Sequence, residues 1–273
     1  MRNTTQPHSP SAPADFSRPF LERYERPAIS VAAVLGFLLA WEAVVALGLA
    51  HPLFVSSPTR IFAAAVRLFA AGEIWRHAEA SLVGFASGFG LAIILGVPTG
   101  ILAGWYARVF AAVNPFVAAL NATPRIALMP VIILWLGIGL WSKVAVVFLG
   151  AFFPIVLNMM TAMRTLDPYL LKAARSFGAD DGQIFWTLAL PASVPFLIAG
   201  LRLAAGRALV GVVVAEMYAA NVGLGYLISL YGSTFQTDKL FVGILMITTL
   251  GVTVDSILRR LERRFAVWRA STW

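Results

Sequence analysis

Apolar residues along this chain gather into long runs, and polar, proline and glycine residues gather between them. The runs cover 29–50, 81–106, 144–163, 194–220 and 240–258, with a more broken one over 111–140. About 20 consecutive apolar residues suffice for a transmembrane helix. The pattern therefore predicts six spans. The broken run holds Pro115, Pro124 and Pro130. Proline removes a helix hydrogen bond and kinks or ends the helix. That run reads as a short interfacial helix ending near Asn121, then a span from about Ile126, with Arg125 at the cytoplasmic end.

The polar breaks differ in kind. Residues 1–28 are rich in Ser, Pro, Thr and Arg without an apolar period, and read as a disordered cytoplasmic tail. The run at 29–50 is too long for a cleaved signal sequence, and a long polar stretch precedes it, so it reads as a retained helix. After Ser57-Pro58-Thr59, Ile61, Ala64, Ala65, Leu68 and Phe69 recur at helical spacing, with Arg60 and Arg67 off the stripe. This predicts an amphipathic helix outside the membrane, ended by Gly72. Tyr106–Phe110 reads as a short loop, Gly137–Lys143 as an outer turn and 221–239 as an outer loop. Residues 259–273 form a basic, aromatic tail suited to a membrane interface.

In the second run Gly84 and Gly88 are four apart, as are Gly96, Gly100 and Gly104. Small residues at this spacing let helix backbones approach closely in lipid. Tight packing within the chain is the favoured reading, and a dimer seam the alternative.

Composition agrees with a membrane protein. Of 273 residues 59% are hydrophobic and 12% charged, against about 25% charged in soluble domains. Mean hydropathy is +0.81. The net charge of +8 fits basic cytoplasmic ends better than nucleic-acid binding. Thirteen basic residues fall on the side of the termini: Arg2, Arg18, Arg23, Arg26, Arg108, Arg164, Lys172, Arg175, Arg259, Arg260, Arg263, Arg264 and Arg269. Five fall opposite: Arg60, Arg67, Arg76, Lys143 and Lys239. The positive-inside rule places both termini in the cytoplasm. The absence of cysteine excludes disulfides and thiolate metal sites. His8, His51 and His77 lie outside the apolar runs, so no metal site is expected.

On the cytoplasmic side stands KAARSFGADDGQIFWTLALP, Lys172 to Pro191. Asp167-Pro168 starts a helix, and Gly178 can end it in a left-handed conformation. Asp180 or Asp181 can cap a second short helix, closed by Leu190-Pro191. Two short helices joined at a glycine make a knob, and Ala173 and Ala174 give it a flat face. Geometry alone leaves a partner-binding element and a plain connector equally open.

The segment resembles the EAA loop of ABC-transporter permeases through Ala173, Ala174, Gly178, Leu190 and Pro191. Lys172 stands where Glu is usual, and Leu188 where Ile is usual. The stretches SSPTRI, ATPRIALMPVIILWLGIG, FFPIVLN, LPASVPFLIAGLRLAAGRAL, AEM and VGLGYLI look like the nitrate/sulfonate/taurine group of these permeases, over about residues 41–268. The resemblance implies a six-helix, all-α type I ABC importer permease of the bacterial inner membrane. The chain is expected to divide into a tail (1–28), which lies outside the resemblance, a permease domain (29–258) with its coupling loop (164–191), and a C-terminal tail (259–273). It implies a second permease copy, expected to be identical, two ABC ATPase subunits docking on the coupling helices, and a periplasmic or lipid-anchored substrate-binding protein. The solute it implies is a sulfonate, taurine or nitrate; bicarbonate, aromatic carboxylates and uncharged pyrimidine-like precursors stay open. No cofactor is expected on this chain, and ATP with Mg belongs to the partner ATPase. The sequence has no phosphate-binding loop of the form GxxxxGK[ST], so it offers no such route to ATP.

Several charged or polar residues lie inside the runs: Glu42, Asn158, Arg202, Arg207, Glu216 and Asp255. Ionisable groups there usually face the bundle interior or a wet cavity. Glu42 and Asp255 suit contacts between helices. Arg202 and Glu216 share a helix face but lie roughly 21 Å apart, too far to pair. Arg202, Arg207, Glu216 and Asn158 are candidate path residues, with the arginines favouring anions; arginines reaching out to the interface are the alternative. Two other classes remain. A membrane enzyme, such as an acyl or prenyl transferase, needs convergent catalytic groups. A secondary transporter is expected to show an inverted repeat. Neither feature is evident.

Overall fold

The computed structural model describes the backbone of residues 18–265 and the side chains of 28–264. The chain divides into two compact units, residues 1–59 and 60–273. In the first, helix α1 (Arg18–Ala46) carries an apolar stretch, Ala28–Ala46, long enough to cross a membrane. The expected tail over 1–28 lies outside the described residues up to residue 17. From Arg18 on the backbone is helical. Glu42, near the end of α1, accepts hydrogen bonds from the backbone N–H of Thr59 at 3.0 Å and from its hydroxyl at 2.7 Å. The carboxylate thus ties α1 to Thr59 at the end of this unit.

In the second unit α2 (Pro58–Ala70) buries Ile61, Ala64 and Leu68, as its amphipathic period predicts. Gly72 then turns the chain at φ 75°. The framework is α3 (Glu73–Trp105), α6 (Leu140–Arg164) and α9 (Leu190–Ala219), with α6 between the other two. The reason lies in the small residues. A Cβ on Gly88 would lie 2.8 Å from the Val144 carbonyl, and one on Gly100 2.7 Å from that of Val156. A Cβ on Gly104 would lie 2.9 Å from the Met160 carbonyl. The glycine series of α3 is therefore a seam against α6 within the chain. On the other side Gly150 of α6 meets the Arg207 carbonyl of α9, and Gly211 of α9 meets that of Val146. Backbones approach this closely only where side chains are small.

The broken third run differs from expectation. Helix α4 (Ala107–Ala122) starts directly after the single extended residue Tyr106, so Tyr106–Phe110 is no loop. Val117 of α4 is buried against Ala103 of α3 and Val156 of α6. A 3₁₀ turn over Arg125–Leu128 follows, then α5 (Met129–Leu136), and the pair bends by 94°. Pro124 forces the break by denying the helix a donor. Met129 and Ile132 of α5 pack against Val146, Ala215 and Ala219. Together the two halves are long and apolar enough to make one broken span or a re-entrant loop.

Helix α7 (Pro168–Ser176) and the short α8 (Asp181–Ile184) follow α6. The expected stop at Leu190-Pro191 is absent. A π turn over Phe185–Ala189 carries α8 straight into α9, and Pro191 sits in the first turn of α9. Pro191 cannot donate to the helical ladder, and the π turn just before it is the local adjustment that accommodates it within the continuous helix. The expected outer loop holds a helix, α10 (Leu224–Ser233), and α11 (Thr237–Phe265) completes the bundle, running past the predicted end at 258. Among the described residues five helices are long and apolar enough to cross a membrane, and counting the bent pair as one span makes six.

Candidate functional site: a coupling loop, an outer ion pair and a mid-membrane cluster

The α7–α8 corner is built by local capping. The Asp167 carboxylate accepts from the Tyr169 N–H at 2.7 Å. Asp180 accepts from the Gln183 N–H at 2.7 Å, and the Gln183 side chain accepts from the Asp180 N–H at 3.0 Å. This reciprocal pair holds the start of α8. Between the helices Gly178 stands at φ 80°, a conformation that is costly with a Cβ. Space is not the constraint, since a Cβ there would meet nothing within 4 Å. The Ala179 N–H closes the turn on the Ala174 carbonyl at 3.1 Å. Lys172 and Ala173 are exposed and Ala174 half-buried. Beside them stand Tyr169, Leu170 and Phe177, the last 92% exposed. Sequence reasoning missed these three, although large apolar residues in a polar connector are themselves a signal. Leu190 and Pro191 lie apart from this face, half-buried where α9 begins. Phe185 anchors the loop edge-on to Trp105 of α3, with ring centroids 5.3 Å apart.

At the other end of the bundle Glu216 is fully buried. Its carboxylate faces the Lys143 ammonium at 3.0 Å and accepts from the Ser81 hydroxyl at 2.7 and 2.8 Å and from the Gly225 N–H at 2.9 Å. Lys143 also donates to the Val222 carbonyl at 2.6 Å. His77 Nδ1 accepts from the Gly223 N–H at 3.1 Å. The turn into α10 is shaped around this carboxylate, because a Cβ on Gly223 would run into it. Lys143 is thus a buried partner in the first turn of α6, and the expected turn Gly137–Lys143 ends at Gly139. Nearby, and outside the spans, burial and then the hydrogen bond to Glu73 push the Tyr231 phenol up to about 12.

The remaining candidates separate. Arg202 reaches sideways to α11, to Asp255 at 3.4 Å and Glu262 at 2.9 Å. It acts as a helix clamp, and Asp255 is the contact between helices that was expected. Asn158 donates to the Pro154 carbonyl at 2.8 Å and packs against Gly200. Arg207 donates to the Asn121 side-chain carbonyl at 3.2 Å. Arg125 follows Asn121 across the Pro124 break. It lies inside the bundle rather than at the cytoplasmic end, since Asn121 is level with Arg207 at mid-helix.

Five long apolar helices, a bent helix pair and an exposed, apolar-tipped loop define a multi-pass helical membrane protein. The family model for the binding-protein-dependent transport system inner membrane component matches residues 96–267, and the chain belongs to that family. Its relatives include the putative aliphatic sulfonates transport permease protein SsuC of Bacillus subtilis (strain 168), 35% identical over 85% of this chain and 84% of that one. The taurine transport system permease protein TauC of Escherichia coli (strain K12) is 29% identical over 88% and 89%. In fold, the chain is similar to one in the inward-facing MetNI methionine ABC transporter, with a TM-score of 0.62 and 22% identity over 70% of this chain and 95% of that one.

Proposed function

We propose that this chain is the permease subunit of an ATP-driven importer for a small organic or inorganic anion of the sulfonate, taurine or nitrate type. Two copies form the path, two ATPase subunits dock on the α7–α8 corner, and a binding protein delivers solute to the outer face. ATP and Mg sit on the ATPase. Both termini are cytoplasmic, by the charge asymmetry of the loops. The observation that carries the reading is the α7–Gly178–α8 corner. It is rigidly capped and presents Tyr169, Leu170 and Phe177 to solvent, as a docking knob must. Family membership and the names of the sulfonate and taurine relatives support the importer and its solute class.

The test is affinity purification of the solubilised chain from its host, with co-purifying subunits identified. An ATPase carrying a phosphate loop and a binding protein are expected. The chain alone, even after mild crosslinking through Lys172, would overturn the reading in favour of a stand-alone membrane enzyme or carrier.

A further inference from the structure

We propose that Arg125, Arg207 and Asn121 form an anion-coordinating station midway across the membrane, for solutes with a small oxyanion head such as a sulfonate, carboxylate or nitrate. The inference rests on the importer reading for the direction of traffic only.

Depth is the first argument. Arg207 lies twelve residues before Ala219, the last residue of α9, so about 18 Å below that end at 1.5 Å per residue. Gly150, ten residues into α6, touches the Arg207 backbone, about 15 Å from the start of α6. Both measures agree on the interior of a hydrocarbon layer of about 30 Å. This is too deep for an arginine simply reaching to the interface, and beyond lipid headgroups.

Charge is the second. Arg202, five residues nearer the start of α9, is neutralised by Asp255 and Glu262. Among the described residues no carboxylate stands within ion-pair distance of Arg125 or Arg207. Arg207 has the neutral Asn121 carbonyl, and the Arg125 Nε is buried with no hydrogen-bond partner. Asn121, which Arg207 holds, stands four residues before Arg125, so the Pro124 break brings Arg125 to the same neighbourhood. Unscreened like charges at this depth repel strongly, and charges in membranes are normally paired. An anion between them supplies the missing counter-charge, and guanidinium forks match an oxyanion's oxygens.

Backbone geometry is the third. The chain breaks helix at Thr123-Pro124 beside these residues, and Pro124 and Ile126 are exposed. Non-helical backbone at membrane depth is stable only where protein buries it or where it lines a wet cavity.

Phenylglyoxal labelling of the full chain in nanodiscs, mapped by peptide mass spectrometry, tests this. Arg125 and Arg207 are expected to label. Ethanesulfonate or nitrate at about ten times its Kd slows both by about tenfold, since the labelling rate is divided by 1 + [L]/Kd. Uncharged dimethyl sulfone does nothing, and Arg202 responds to none of the three. Arg207→Gln removes the protection of Arg125, and Arg207→Lys keeps part of it. The proposal is overturned if Arg125 does not label, or if all three solutes act alike at any concentration that leaves the protein folded. It is also overturned if Arg125 labels only after delipidation, which would make lipid phosphate the partner. Labelling needs neither ATPase nor binding protein. Protection in a chain that purifies alone would therefore sink the importer and keep the site; an ATPase partner without protection would do the reverse.

Discussion

Lys143 and Glu216 face each other at 3.0 Å with 3% and 0% of their side chains exposed. Removing one member of a buried pair strands the other, at a cost of about 3–5 kcal/mol. Glu216→Ala and Lys143→Met should each lower thermal stability in detergent by that order. Lys143→Met with Glu216→Ala should recover part of the loss, because the stranded charge is gone. Strict additivity of the two losses would show that the groups do not act as a pair. Only half of this was legible in the sequence. A carboxylate in an apolar run demands a partner, but Lys143 sits among turn residues where a solvated lysine is the ordinary reading. Its partner lies 73 positions away, which no local pattern reports. Tyr231 gives a second residue-scale test. Its phenol is raised to about 12 from 10.0, so the native state holds that proton more tightly than the unfolded chain. The resulting stabilisation is complete below pH 10 and is lost as pH rises towards 12. Spectrophotometric titration of phenolate absorbance should show one late tyrosine, absent in Tyr231→Phe.

Among the elements, the α3–α6 seam was visible as a glycine period, because close packing leaves its trace in one helix alone. The broken α4–α5 span was not. Its prolines announce an interruption, but not whether the pieces lie on the membrane or inside it. That depends on Val117 and Met129 finding their contacts on α6, a fact of tertiary packing. The continuous passage from α8 to α9 was missed for a related reason, since a proline in a helix's first turn looks in sequence like a stop. The seam makes a sharp prediction. A Cβ on Gly100 would sit 2.5 Å from the Met159 Cβ and 2.7 Å from a backbone carbonyl, whereas one on Gly90 meets nothing within 4 Å. Gly100→Ala should destabilise by about 1–3 kcal/mol, as overpacking does. Gly90→Ala should be neutral or stabilising by up to about 1 kcal/mol through helix propensity. Equal effects on detergent unfolding would refute the seam.

For the whole molecule, energy released at one end must move helices at the other, and the α7–α8 corner is the mechanical link on this reading. Its capping bonds fix Phe177 and Tyr169 in place, while the Phe185–Trp105 contact and the unbroken α8–α9 passage join the corner to two framework helices. A push on the corner is therefore delivered to α9, which carries Arg202, Arg207 and Glu216. Gly178→Pro strikes only this link. Proline holds φ near −65°, and Gly178 stands at 80°, so the corner must re-form while the buried seams stay intact. The variant should reach the membrane at wild-type levels and unfold at nearly the same temperature, yet lose ATPase co-purification and solute uptake together. Phe177→Ala, which leaves the turn unchanged, should weaken ATPase binding without abolishing folding, because an exposed aromatic anchor contributes more than its polar neighbours. If Gly178→Pro retained full ATPase binding and transport, the corner would be an ordinary connector, and the coupling route would have to run elsewhere on the cytoplasmic face.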